Sequence, residues 1–538
     1  MLKSPYFIRY NPIYYLLLTI GIFLPSLLLS NNISVANVSL TGQDVSAGTN
    51  NIANFNLVQF DLSWDNSWRI STGANNWDAA WVFVKYMVGS SGVWQHATIN
   101  YVDGTAANDG HTQPSGATVE TANDGMGVFV YRDADGSGTF SLIGIELRWN
   151  YGADGVQDND IVDVQVFAIE MVYVPAANFY VGDGTENTVA GQLHDAADVT
   201  TPFQITGEGS ITLGGTTTGN MGNNDATGQL SADDFDESTT QTLPANFPKG
   251  YSAFYCMKYE ISQGQYTDFL NSLTRTQQQS RTESDVSTDA ITNIYALAGY
   301  SFSPARNTIY CPSSGNGTIS PIIFSCNTPD RACNYLHWKD GFAYADWAGL
   351  RPMTELEFEK ACRGTINPII DEYAWGTTNI HASNYTLIND GTSSEGFSNT
   401  GANTGNAFYT AVNNSIGQGP VRVGIFAASV ANKTREETGG TFYGIMEMSG
   451  NLPEVCIPIG TSNARNYTGI HGDGELTTGG ESDVTGWPSN YFDIGIRGGD
   501  WANADYTLRI SQRNTAHFGS YPNARNLGYG FRCIKTAN

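Results

Sequence analysis

The sequence predicts an α+β protein in two parts: an all-β sandwich over residues 31–168, then, over 169–538, strand pairs interleaved with a few capped helices. Three observations predict it. At 538 residues the chain is too long for one ordinary core. Its first third carries short β-branched and aromatic runs broken by Gly/Asn/Asp loops. Beyond residue 250 the apolar spacing becomes helical behind capping boxes.

The chain opens with Lys3 and Arg9 ahead of an apolar run, Ile13 to Ser30, which contains Pro25 and gives way to small polar residues. Residues 1–30 are expected to be a cleaved signal peptide. The run is close to the ~20 residues that span a bilayer, so a membrane anchor is the competing reading. The interior proline and the small-residue exit favour cleavage. No cysteine stands directly after the run, and no later stretch is long and apolar enough to cross a membrane. The expected location is secreted or cell surface, with no membrane span after cleavage.

ISVANVSL, NLVQFDLSW, AAWVFVKYMV, GVFVYRD, LIGIELRW and DVQVFAIEMVYV supply the sandwich strands, and no internal repeat is found. DADGSG (Asp133 to Gly138) has a D-x-D-G spacing that can serve calcium, but a tight turn between strands is the better reading. After MVYVPAANFYVGDG comes a stretch, 185–245, low in large apolar residues, expected to be an extended surface insertion. Ser262 with Gln265 caps a helix whose apolar face is Ile261, Phe269, Leu270 and Leu273. WKDGFAYADWAG is a second helix ending at Gly349, and Thr354 with Glu357 caps a third.

Charge excludes one class of partner. Charged residues are only 14% of the chain, yet the net charge is −26, which repels phosphate backbones and argues against nucleic acid. The seven cysteines, Cys256, Cys311, Cys326, Cys333, Cys362, Cys456 and Cys533, all follow residue 250, and the odd count leaves at least one without an intrachain partner. There is no C-x-x-C, no H-E-x-x-H and no Walker A loop. Glycosidase chemistry is left without support, because abundant carboxylates do not nominate a pair.

MVYVPAANFYVGDG, KYEISQGQYTDFLN, the block from Trp338 to Gly364, MSGNLPE and RGGDW…R…R…GFRC, in this order, resemble the formylglycine-generating, sulfatase-modifying family. The resemblance covers residues 168–538. It implies a C-type-lectin-like fold with few helices and long loops, and a disulfide between Cys362 and Cys533. It also implies calcium at two sites, one on Glu447, Gly450, Leu452 and Glu454, the other on Asn384, Tyr385, Glu395 and Phe397. Pro453 stands where the family has an aromatic, and the second loop is shorter than in the enzymes.

The family's enzymes oxidise a substrate cysteine with copper held by two cysteines after the R-G-G motif, soft ligands that select Cu(I). Here Asn503 falls at the first position and Thr507 or Leu508 near the second, so copper is not expected. The histidine cluster of the related iron enzymes is also absent. The segment 497–533 then reads as a frame (Arg497, Gly498, Gly499, Arg509, Arg513, Arg525 and Gly530 to Cys533) around an exchangeable interior. Trp501, Asn503, Asp505, Tyr506, His517, Phe518, Tyr521 and Asn523 have the composition of an adaptable binding surface, although ordinary loops share it. These residue types are also those of a subclass diversified by adenine-directed mutagenesis. The expected function is binding of a protein or glycan by a catalytically degenerate domain. A metal-dependent oxidoreductase and a structural assembly protein are the alternatives.

Overall fold

The computed structural model describes residues 32–185, 191–223, 235, 238–288, 291, 293–299, 304–312, 321–412, 418–516 and 524–538. The expected signal segment lies outside them. All six sandwich strands form, within Ser34–Asp44, Phe55–Ile70, Asn76–Val88, Val128–Arg132, Gly136–Trp149 and Val162–Val174. A seventh, Ala117–Thr121, joins them.

Two layers result. Phe55–Ile70 pairs with Ser34–Asp44 and Gly136–Trp149 in one. Asn76–Val88 pairs with Val128–Arg132 and Val162–Val174 in the other. Period-2 alternation explains the core between them: Val58, Phe60, Leu62 and Trp64 point inward from the first layer, and Ala80, Val82, Val84 and Tyr86 meet them from the second. Asp133 to Asp135 form the turn between strands, and Asp135 accepts a hydrogen bond from Ser71 at 2.7 Å.

Asn76–Val88 is buried on both faces, as its near-continuous apolar sequence demands. Ala79, Trp81 and Phe83 face away from the sandwich into the largest core of the molecule. There Trp347, on the helix Trp338–Trp347, meets Phe83 edge-on at 5.0 Å, and Trp81 Nε1 donates to the Ala348 carbonyl at 2.8 Å.

No linker separates the two parts. Val162–Val174 crosses the expected 168/169 boundary as one strand, pairing with Asn76–Val88 along its length and with Phe254–Met257 at its end. The sheet continues through Cys533–Thr536, Arg351–Thr354, Glu454–Ile457 and Gly495–Arg497. A buried lysine reinforces the seam: Lys258 donates to Glu170 at 2.9 Å and Asp78 at 3.2 Å.

The three helices form as expected. Gln263–Asn271 and Glu355–Arg363 each start in a complete capping box, from Ser262 and Thr354, while Trp338–Trp347 is capped by His337 with Asp340.

Two expectations are corrected. The described part of the stretch 185–245 does not lie on the surface as an insertion would: Leu193, Phe203, Ile205, Leu213, Met221, Phe235 and Leu243 are buried in the largest core. Its large apolar residues are few, but these seven serve as anchors. Nor are Cys362 and Cys533 joined; all seven cysteines are free thiols. Successive side chains on a strand face opposite ways. Ile534 shares a core with Cys362, whereas its neighbour Cys533 points through the sheet into the other core.

Candidate functional site

The arginines of the closing segment each find an acid. Arg497 reaches Glu355 and Glu359 at 2.8 Å, and Arg513 reaches Glu355 at 2.7 Å. Arg525 meets Asp340 at 2.9 Å and Arg509 meets Asp371 at 2.9 Å. Glu355 and Glu359 belong to the helix Glu355–Arg363, so the segment is fastened to that helix by charge. Gly498, at φ 85°, permits a close approach to the loop 447–454: a Cβ there would lie 2.6 Å from Glu454 Oε2.

That loop carries the first expected calcium set. Glu447 and Asn451 are non-glycine residues in the left-handed region, at φ 55° and 64°, a strained arrangement of the kind that clusters at ligand-holding loops. Glu447 and Glu454 are buried, and so is Glu260, which the sequence reading did not single out. Glu447 Oε2 accepts from Gly424 N at 3.0 Å, Glu454 Oε1 from Arg532 at 3.1 and 3.2 Å, and Glu260 Oε1 from Asn451 Nδ2 at 3.0 Å. The other oxygen of each, Glu447 Oε1, Glu454 Oε2 and Glu260 Oε2, has no partner among the described residues.

Burial pushes the carboxyls of Glu447 and Glu454 up to about 8 and that of Glu260 to about 7, with Glu260's charge adding to the first two and Arg532 opposing all three. Orphaned, desolvated carboxylate oxygens are costly unless they take up a proton, as the raised values allow, or meet a cation. The unpartnered oxygens of Glu447 and Glu454 are of the type a hard divalent ion takes, with backbone carbonyls of Gly450 and Leu452 as the remaining donors of the expected set.

The second expected set does not fit one. Both oxygens of the buried Glu395 are taken: Oε1 by Arg306 at 3.0 Å and Arg422 N at 3.0 Å, Oε2 by Arg331 Nε at 3.1 Å and Gly391 N at 2.8 Å. Two guanidiniums supply the positive charge that calcium was expected to bring. Tyr385 is stacked on Phe397 with centroids 4.5 Å apart, and its hydroxyl donates to Asn406, while Asn384 is exposed. These residues form an apolar prop and an ion pair.

At the positions matching the copper cysteines, Leu508 is fully buried and Thr507 Oγ1 donates to the Ala504 carbonyl at 2.7 Å. Asn503 is half-buried, and its carbonyl accepts from Thr410 N at 3.0 Å. None of these groups is a soft ligand, and the six buried cysteines and half-buried Cys326 lie elsewhere.

Of the expected contact residues, Asp505 and Tyr506 are exposed. Trp501 is not: only 4% accessible, it packs in a core with Leu452, Phe408 and Leu508. Its ring is a foundation of the loop. His517, Phe518, Tyr521 and Asn523 lie outside the described residues. A further acidic group, Asp346 with Asp473 and Asp483, brings three carboxylates within 4.8 Å of one another. No motif marks it in the sequence.

Together these features define a β-rich protein in which a closing segment is bolted by ion pairs to one helix and lies against a carboxylate-lined loop. The family model for the sulfatase-modifying factor enzyme 1-like domain matches residues 168–537, and the chain belongs to that family. Over 130 residues it is 25% identical to the formylglycine-generating enzyme of Bos taurus, a match covering 23% of this chain and a third (33%) of the bovine enzyme. Two solved structures are also similar. Treponema denticola variable protein 1, at 12% identity, aligns over 69% of this chain and 96% of its own with a TM-score of 0.30. The major tropism determinant U1 variant, at 14%, aligns over 80% and 98% with a TM-score of 0.21.

Proposed function

We propose that this is a secreted or cell-surface binding protein whose formylglycine-generating-enzyme-like domain holds a structural calcium ion and recognises a protein or glycan without oxidising it. The observation that carries the reading is the replacement of the expected thiolate pair by Asn503 and the Thr507–Leu508 position, with Leu508 sealed in a core. Neither an amide, a hydroxyl nor an alkyl group holds Cu(I) as two thiolates do. In their place the loop exposes Asp505 and Tyr506, a carboxylate and a ring with a polar tip, groups that suit a contact surface.

Calcium at Glu447, Gly450, Leu452 and Glu454 would neutralise the buried carboxylates and fix the loop that Gly498 abuts. Export rests on the apolar run before Ser30. The test is oxygen consumption by the mature protein, loaded with Cu(I), in the presence of cysteine-containing peptides. No consumption above a copper-only control is expected. Copper-dependent turnover of the thiol peptide would overturn the reading in favour of an oxidoreductase.

A further inference from the structure

A cleft of about 380 Å³ lies where the sandwich meets the loops 427–446, and it shares no residue with the 501–508 loop. That volume falls within the range of small-molecule sites, ~300–1,000 Å³. Its lining is chiefly apolar and aromatic, with Trp68 from the strand Phe55–Ile70 and Tyr259, Phe442 and Met446 from the C-terminal part. Gly444, at φ 86°, lets the 441–446 turn sit against the indole: a Cβ there would lie 3.0 Å from Trp68.

The charge of the cleft runs against that of the protein. In a chain of net charge −26, no carboxylate among the described residues lines it, and its charged residues there are Lys258, Lys433 and Arg435. Lys258 is neutralised from behind by Asp78 and Glu170. The other two are in no ion pair among the described residues, although the charge of Glu372 acts on Arg435 from a distance. Lys433 Nζ donates to the carbonyls of Ala427 and Ala428, and Arg435 Nη2 to those of Cys362 and Ala374 at 3.2 and 2.8 Å. Neither has an ion-pair partner among the described residues.

Two polar groups of lining residues also lack partners there: Arg435 Nε and the hydroxyl of Tyr443, a residue only 2% accessible. A buried donor left unmatched is the signature of a missing partner. Flat apolar walls, unpaired positive charge and two spare donors are complementary to one kind of molecule.

We propose that this cleft binds a small organic anion with a flat apolar body, its carboxylate or sulfonate meeting Lys433, Arg435 and Tyr443 and its ring lying against Trp68 and Phe442. Calorimetric titration of the full chain with 1-naphthoate, 1-naphthylmethanol and 1-naphthylmethylammonium tests it, because the three share a ring and differ in charge. Naphthoate is expected to bind about tenfold or more tighter than the alcohol, as a charge-assisted hydrogen bond gives, and the ammonium most weakly. Lys433→Glu, at an exposed position, should remove the preference for the anion while leaving the fold intact. Phe442→Ala should weaken all three. Equal affinity for the three probes, an anion preference that survives Lys433→Glu, or no binding by any probe would overturn the proposal.

Discussion

Arg497 and Glu355 meet at 2.8 Å with both side chains sealed from solvent, and Arg513 shares the same carboxylate at 2.7 Å. The closing segment of the chain is thereby held to the helix Glu355–Arg363 through ion pairs where a disulfide was expected to hold it. A buried pair of this kind adds little net stability over a well-packed apolar one, but removing one partner strands the other charge.

Arg497→Met is therefore expected to destabilise the protein by ~3–5 kcal/mol, because Glu355 and Glu359 would keep their burial and lose a counter-charge. Urea unfolding measures this. A midpoint equal to that of the wild type would show that the clamp is not holding the segment.

Acid should release the same clamp. Burial opposes ionisation of Glu355, but Arg513 and Arg497 overcome it and hold its carboxyl below the usual range. The unfolded chain then takes up a proton before the folded one does. The pair's contribution is present above the unfolded value, ~4.3, and is lost as pH falls through the folded one. Unfolding midpoints between about pH 6 and 3 should fall steeply for the wild type and more gently for Glu355→Gln. Parallel acid limbs would count against this assignment.

Of the two expected sites, calcium should stabilise through the loop 447–454 alone. An ion at a hundredfold its dissociation constant adds ~2.7 kcal/mol, so the melting temperature of the wild type should rise with calcium and fall with chelator. Glu454→Ala should lose that response. Glu395→Gln should keep it, since Glu395 is occupied by Arg306 and Arg331. A calcium response abolished by Glu395→Gln would reinstate the second site and undo the present assignment.

What the sequence made legible was local. The Ser262–Gln265 and Thr354–Glu357 boxes lie within one turn, and the strands declare their own alternation, so these elements could be placed from neighbours alone. What it hid depends on distance. The arginines that occupy Glu395 come from 89 and 64 residues away, and nothing beside Glu395 announces them. Glu260 meets Asn451 across 191 residues, so its place beside the loop 447–454 had no local signal. The stretch 185–245 looked like surface because its anchors are isolated, and an isolated leucine reads as core only once the partner is known. Cys533 misled through strand parity, a one-residue matter that no motif records.

The cysteines offer a direct check on that parity. Denatured without reductant, the chain should titrate seven thiols, because none is bridged. In the native state only Cys326, half-buried, should react with a bulky thiol reagent, and slowly, since burial raises its thiol pKa. Fewer than seven thiols after unfolding would require a pairing that this arrangement lacks.

The last prediction separates the two aromatic residues of the closing loop. Trp501 is enclosed with Leu452, Phe408 and Leu508, and its indole N–H donates to the Leu527 carbonyl at 3.4 Å. Tyr506, five residues on, is 47% exposed. Truncating a buried tryptophan removes its transfer free energy and leaves a cavity, so Trp501→Ala should cost ~3–5 kcal/mol and loosen the loop whether or not a ligand is present. Tyr506→Ala should change stability by less than ~0.5 kcal/mol. If the loop is the recognition surface, Tyr506→Ala and Asp505→Ala will weaken binding with the melting temperature unchanged, and loss of binding by Trp501→Ala will follow its loss of stability. Wild-type stability in Trp501→Ala, measured by urea unfolding, would mean that the ring is free to meet a ligand and that this division of roles is wrong.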